Sequence, residues 1–394
     1  MKVEPAARKM NVLAFIHFHR LRSATGVGRV TRELLYALAR RQQIQLQLMG
    51  AAEDYKSLVS AGFELPASAS VHLFSRSRKV QQAIWLTLKQ PPTEHYWNDL
   101  DLVWCPAESY VPAARGRLVI TLHDASHLEP VMQKARRGIA VQRMKWWWMF
   151  QRFRRDGAAF VTVSRYSADR LLHYYPWMQG RISVVPNAVS SRFLCPPSAE
   201  GDTELGKVEL SGRRFVLVPG GLTPRKNGGL IAEAWGIIRR AGINVLLVIA
   251  GRCDEELAAR CRSLGPEVRI LGFVSDEAMR SLYGHAEVVW FPSIYEGFGM
   301  PVLEAMASGA PVVCCPAGAI PEVAGDAAIL VPTDEPGRHA EAIVALLQQP
   351  ALREEFVARG AQRAREFSWD ASAARLEQVF RHVLENAPQT ANGC

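Results

Sequence analysis

The sequence predicts an α/β protein of two doubly wound domains, each a parallel sheet flanked by helices. Three observations carry this. The chain has 394 residues, beyond the length at which a single hydrophobic core stops growing and a chain divides. Short apolar runs alternate with longer amphipathic stretches from end to end, the pattern of strand-helix-strand units around parallel sheets. Between two series of such units lies "VPNAVSSRFLCPPSAEGDTELGKVELSGRR", rich in Pro, Ser, Gly and charge and without a sustained period. That stretch places a boundary near 187 to 212 and suits a joint that permits hinge motion.

Taken in order, the strands of the first half are "NVLAFI", "IQLQL", "LVWC", "LVITL", "FVTVS" and "ISVVP". The second half repeats the scheme with "FVLVPG", "VLLVIAG", "VRILGF", "VVWFP", "PVVCC" and "AAILVP". Runs this short and this apolar are what strands buried on both faces look like. Three stretches with helical spacing close the chain, the last being "SWDASAARLEQVFRHVLEN", before a tail expected to fray. Ser60 to Tyr96 yields no reading. The N-terminal apolar run, Val12 to Ile16, is too short for a signal or membrane segment.

Composition narrows the class. Hydrophobic residues make up 48% and charged residues 22%, ordinary for a globular protein and unlike a disordered one. The seven cysteines are scattered, with no Cys-x-x-Cys pair, which argues against a disulfide framework or zinc site and for a reducing, cytoplasmic location. The formal net charge of +9 fits nucleic acid, an anionic membrane face or phosphorylated small molecules. A nucleic-acid module would be expected to interleave aromatic and basic residues along strands, and no stretch does so.

The chemistry concentrates where glycines follow strands. In "SIYEGFGMPVLEAMASGAPVV", Glu296 and Glu304 bracket the turn from Gly297 to Pro301. Pro301 fits the first turn of a helix and Gly309 its stop, which puts Glu304 in the first turn. Free N–H groups there would receive a phosphorylated ligand, and carboxylates at both edges would accept hydrogen bonds from sugar hydroxyls. Equally, Glu304 could simply complement the helix dipole. Upstream, "VPGGLTPRKNGGL" places Gly221, Arg225 and Lys226 at another strand-to-helix crossing. A guanidinium beside an ammonium suits a diphosphate, the alternative being a solvated basic turn. "SATGVGRVTRELL" brings Gly26 and Gly28 before a helix without completing Gly-x-Gly-x-x-Gly, so it reads as a glycine-lined pocket edge or a tight turn. His123 and Asp124 follow "LVITL" at a strand's carboxyl end, where open parallel sheets bind ligands, or form a hydrogen-bonded loop pair. In "VQRMKWWWMFQRFRRDG" a basic helix carries Trp146, Trp147 and Trp148 in three directions, so at least one should be buried and one exposed, with an interfacial membrane contact as the functional reading.

Together with "TVSRYSADRL", "VVPNAV", "LGFVSDEAM" and "IPEVAGDAAILVP", these stretches resemble family 4 of the retaining glycosyltransferases over about residues 11 to 385. The resemblance implies the GT-B fold, two Rossmann-like domains facing across a cleft. They would be an acceptor-binding domain over 1–190, a nucleotide-sugar-binding domain over 191–367 and a helix over 368–394 that crosses back. It implies a metal-independent hexosyltransferase without a cofactor. Its donor would be a nucleotide-sugar, mannose or a related sugar on GDP, and its acceptor a bacterial surface polysaccharide or lipid-linked glycan. Glu304 would grip ribose, Glu296 the transferred sugar, and Arg225 with Lys226 the diphosphate. Amides of Gly297, Phe298, Gly299 and Met300 would line phosphate and sugar beside Gly221. His123 would touch the donor sugar and Asp124 would lie on the acceptor side. Gly26 and Gly28 would fall in an acceptor-side loop that also meets the donor. A nucleotide-sugar epimerase of the same fold is the second reading, and a nucleic-acid module the remote one.

Overall fold

The computed structural model describes residues 8–21, 26–90, 93, 99–133 and 139–388, with side chains throughout except at 133 and 139–143. The chain divides into two compact units. Unit 1 comprises Met1–Leu128, Arg136–Pro186 and Trp369–Cys394, and unit 2 comprises Glu129–Ala135 and Asn187–Ser368.

Unit 1 is built on a parallel sheet of seven strands: β1 Met10–Phe15, β2 Ile44–Ala51, β3 Ser70–Phe74, β4 Leu102–Cys105, β5 Leu118–Leu122, β6 Ala159–Thr162 and β7 Ile182–Val184. Their order is β3-β2-β1-β4-β5-β6-β7, so the winding reverses between β1 and β4. Every residue of β4 and β5 is buried, which is why both read as unbroken apolar runs. The edge strand β3, "SVHLF", has no fully buried residue, and nothing in its sequence announced it. The helix Trp369–Glu385 packs in this unit on Gly26–Ala39. Arg41 Nε donates to Glu377 Oε2 at 2.6 Å and Ser372 Oγ to the Pro186 carbonyl at 2.7 Å.

Unit 2 holds six parallel strands: β8 Phe215–Pro219, β9 Leu246–Ala250, β10 Val268–Gly272, β11 Val288–Phe291, β12 Val312–Cys314 and β13 Ile329–Leu330. Their order is β10-β9-β8-β11-β12-β13. Trp235 and Trp290 anchor its core among Val216, Ile231, Leu247 and Ile343. Here the reversal falls between β8 and β11, which pair directly. The loops leaving those two strands therefore start side by side at the sheet's carboxyl edge, the position where doubly wound sheets bind ligands.

Two expectations need correcting. The stretch from 187 to 212 is not a plain linker, because it contains the helix Ala199–Lys207. Ser198 Oγ caps it by accepting from Gly201 N at 3.2 Å, and Glu200 and Asp202 in the first turn complement its dipole. Gly201 lies so close to the Asp276–His285 helix that a Cβ would sit 2.4 Å from Ser281 Oγ. Nine residues were too few for the apolar period to stand out. On the Ile139–Asp156 helix, Trp146 is only half-buried and stacks on His127 at 4.0 Å, while Trp147 and Trp148 are 56% and 49% exposed.

Candidate active site

The loop after β8 reads Thr223-Pro224-Arg225-Lys226-Asn227. Thr223 Oγ1 accepts from the Lys226 amide at 3.3 Å and Pro224 presets the first turn position, so Arg225 and Lys226 lie on one turn of 3-10 helix. Asn227 leaves it in the left-handed conformation at φ 57° and ties down the far side through Nδ2 to the Thr333 carbonyl at 2.8 Å. Gly221, at φ 77°, lies against the Arg252 backbone so closely that a Cβ would be 1.9 Å from its carbonyl oxygen. Its role is this close approach of two loops.

The loop after β11 delivers Glu296 to that turn. Glu296 Oε1 accepts from Lys226 Nζ at 2.8 Å, from Ser293 Oγ at 2.6 Å and from Arg225 Nη1. Nη1 also reaches the Tyr295 carbonyl at 3.2 Å. All three side-chain donors converge on one carboxylate oxygen, and no described residue donates to Glu296 Oε2. Lys226 Nζ additionally stands 4.1 Å over the Phe291 ring, a cation–π contact that partly replaces lost hydration. Gly318, at φ 63°, packs on the other side of Glu296, where a Cβ would meet its carbonyl oxygen at 2.1 Å. That carbonyl accepts from Ala319 N at 3.0 Å.

The electrostatics follow from this packing. Lys226 is 7% exposed. Burial pushes its ammonium down from 10.5 to about 8, against the pull of Glu296 and with the repulsion of Arg225. Burial alone would raise the Glu296 carboxyl, but Lys226 and Arg225 with the Lys226 and Ser293 hydrogen bonds hold it below the usual carboxylate range. Two cations and one carboxylate leave one net positive charge. The guanidinium of Arg225 keeps Nε and Nη2 clear of described protein groups.

The same loop then enters the helix Met300–Ala307, capped by Gly299 with Pro301 in its first turn. No described acceptor takes the amides of Phe298, Gly299 and Met300, which is the orphan-donor array of a helix N-terminus. The Phe298 ring itself is buried edge-on against Phe367 at 5.8 Å, leaving only its backbone for a ligand. Glu304 is the fifth helical residue, just past the first turn in which the spacing placed it. It is 2% exposed and accepts from the Tyr283 hydroxyl at 3.3 Å through Oε2.

Unit 2 thus brings together Arg225, Lys226, Glu296 and the residues through Met300. Gly221 and Glu304 belong to unit 2 as well, and His123, Asp124, Gly26 and Gly28 belong to unit 1. His123 follows β5, and its Nε2 lies 2.9 Å from the Pro106 carbonyl. A carbonyl can only accept, so Nε2 carries the proton. Asp124 Oδ1 accepts from Ser126 N at 2.8 Å and so shapes its own loop. Gly26 and Gly28 are not loop residues: both lie in the helix Gly26–Ala39, Gly26 at its start with open space beside it and Gly28 buried. Ser293, Tyr283 and Gly318 were missed by sequence reasoning. Only Gly318 carried a signal, a glycine just past a strand.

Residues 213–349 match the family described as Glycosyl transferases group 1, and residues 24–193 match Glycosyltransferase Family 4. Two glycosyltransferase models thus match separate parts of the chain, which is a glycosyltransferase similar to family 4. The O-antigen chain mannosyltransferase B of Escherichia coli is 28% identical to this glycosyltransferase over 370 residues, covering 91% of this chain and 96% of the relative. A phosphatidyl-myo-inositol mannosyltransferase of Mycobacterium leprae is 34% identical over 204 residues, covering 50% of this chain and 53% of the relative. Among solved structures, Anabaena Alr3699/HepE in complex with UDP and glucose has a TM-score of 0.71 at 16% identity, over 95% of this chain and 100% of that one. Both units thus have the Rossmann-like build of GT-B glycosyltransferases.

Proposed function

We propose that the protein is a retaining, metal-independent hexosyltransferase that moves mannose or a related sugar from a GDP-sugar to a growing bacterial surface polysaccharide or a lipid-linked glycan. The observation that carries the donor assignment is the turn on which Arg225 and buried Lys226 meet Glu296 beside the amides of Phe298, Gly299 and Met300. The mannosyl transfer in both relatives' names supports the sugar, and the O-antigen name supports the acceptor. Those names also stand against the epimerase reading.

In the proposed reaction the bond between the anomeric carbon and the diphosphate oxygen breaks, and the electron pair leaves with the diphosphate. Arg225 Nε and Nη2, the Lys226 ammonium and the three amides stabilise that charge, the task a metal would otherwise perform. The acceptor hydroxyl bonds to the anomeric carbon on the face the diphosphate leaves, and a departing phosphate oxygen takes its proton. Glu296 holds a sugar hydroxyl through Oε2. Three donors on its other oxygen draw charge out of the carboxylate and make it a poor nucleophile, which favours same-face attack over a covalent glycosyl-enzyme. Glu304 accepts from the ribose hydroxyls, and His123 and Asp124 serve the donor sugar and acceptor side. Exposed Trp147 and Trp148 beside Lys145 support peripheral contact with a membrane that presents the acceptor.

Thermal-shift screening against GDP, UDP, ADP and their sugars tests the donor. GDP-mannose should raise the melting temperature most, and transfer from it should survive chelator and give the donor's own anomeric configuration. Loss of turnover in chelator or an inverted product would refute the mechanism.

A further inference from the structure

A second cationic cluster lies at the other edge of unit 1's sheet, where strands begin. Arg115 and Gly116 precede β5, Arg154 and Gly157 precede β6, and Gly180 and Arg181 precede β7. Because β5, β6 and β7 are consecutive neighbours in the sheet, the three entry loops converge. They surround a cavity of about 300 Å³ walled on its other side by the C-terminal helix at Val379, His382 and Val383 and by Asn386 and Pro388 after it. The volume is at the small end of ligand sites, which run ~300–1,000 Å³.

Among the described residues the charges in this cavity have no counter-ion. No carboxylate lines it, and among the described residues the side chains of Arg115, Arg154 and Arg181 make no hydrogen bond or ion pair. Exposed arginines elsewhere commonly are paired, as Arg40 is with Asp370, Arg260 with Glu233, Arg262 with Glu255 and Arg338 with Glu335. Arg154 stands in the last turn of its helix, where the dipole favours a cation. Arg115 and Arg181 are on loops, and no dipole explains them. The floor between them is largely glycine backbone at Gly116, Gly157 and Gly180, with Pro388 packed over Gly116, where a Cβ would meet it at 2.9 Å.

We propose that this cavity binds a phosphoryl group, gripped by the guanidinium forks of Arg115, Arg154 and Arg181, at a site separate from the donor-binding turn of unit 2. Three planar forks on one concavity suit an anion with several oxygens, which takes paired N–H donors from each. His382 adds a fourth polar group on the helix wall. A phosphorylated solute and the phosphate of a lipid headgroup share this chemistry. Trp147, exposed seven residues before Arg154, lies on the same face of that helix, about 10 Å away along its axis.

The test compares full-length wild type, Arg115→Gln/Arg181→Gln, and Arg260→Gln/Arg262→Gln as a control for net charge. One arm titrates inorganic pyrophosphate by calorimetry, and any donor-site binding is common to all three proteins. The other co-sediments them with phosphatidylcholine vesicles with and without phosphatidylglycerol. The Arg115→Gln/Arg181→Gln protein should bind about tenfold or more weakly in one arm, as loss of charge-assisted hydrogen bonds implies, with glycosyl transfer unchanged as evidence of folding. Loss in the pyrophosphate arm assigns a phosphorylated solute, and loss only with phosphatidylglycerol vesicles assigns a headgroup. If it matches the control in both arms, the proposal is overturned.

Discussion

Arg225 and Lys226 share one oxygen of Glu296 at the strand ends of unit 2, whereas Arg115, Arg154 and Arg181 ring a cavity at the strand starts of unit 1 with no carboxylate in its lining. The first cluster is built around a buried ammonium, which could not stay charged there without a partner. Its carboxylate favours the charged ammonium and holds both cations in position. The second consists of exposed guanidiniums, which remain charged wherever they sit and need no partner to stay folded. If both proposals hold, the difference separates a catalytic electrostatic site from a docking one. Catalysis requires charges fixed before the substrate arrives; docking requires only charges that the ligand can gather.

The comparison breaks most sharply at the donor turn. Replacing Lys226 by Ala should lower kcat/KM by about 10³-fold, since it removes a fixed charge from the leaving group. A loss below tenfold, measured with folded enzyme, would place the leaving-group charge elsewhere. Glu304→Ala should weaken donor binding severely, by about 10- to 100-fold, because two hydrogen bonds to a charged acceptor vanish; unchanged calorimetric affinity would contradict its ribose role.

A pH series sharpens the contrast further. If Lys226 holds diphosphate as proposed it must be charged, so donor affinity should fall as pH rises through about 8. Its contribution to stability runs the other way. Between about 8 and its ordinary 10.5, the unfolded chain binds the proton that the folded one has lost, so stability from this group rises with pH. In Lys226→Arg the affinity drop should disappear from that range, because guanidinium does not titrate there. Phosphoryl binding at the arginine cavity should show no step near pH 8.

Gly318→Ala should have a smaller effect, about 1–3 kcal/mol of lost stability by thermal melting, because the left-handed backbone and the Glu296 carbonyl both oppose a Cβ. The smallest effect expected on transfer is that of Arg115→Gln/Arg181→Gln, which should leave kcat/KM with a soluble acceptor unaltered.

Much of this was legible in the sequence wherever burial is complete. "LVWC" and "LVITL" announce strands because both faces are covered. "TPRKN" announces its cation turn because Thr, Pro and Asn each have a local backbone reason to be there. Legibility fails where the cause is not local. β3 is half-exposed and lacks a pattern, and Ala199–Lys207 is too short to show a period. Glu304 sits deeper in its helix than spacing implied, since the helix begins at Met300. Ser293 is only three residues from Glu296, yet no spacing pattern shows that the loop after β11 turns its hydroxyl onto that carboxylate. Arg115, Arg154 and Arg181 are dozens of residues apart in places, and only the order of β5, β6 and β7 makes them neighbours.

The central claim is that the turn bearing Arg225 and Lys226, with the start of the Met300–Ala307 helix, holds the diphosphate of a nucleotide-sugar. A crystal soaked with GDP-mannose tests it most directly. The expected result is diphosphate density within hydrogen-bond distance of Arg225, Lys226 and the amides of Phe298 to Met300, with the ribose at Glu304. Density for the nucleotide elsewhere, with that turn still closed on Glu296 alone, would contradict the account.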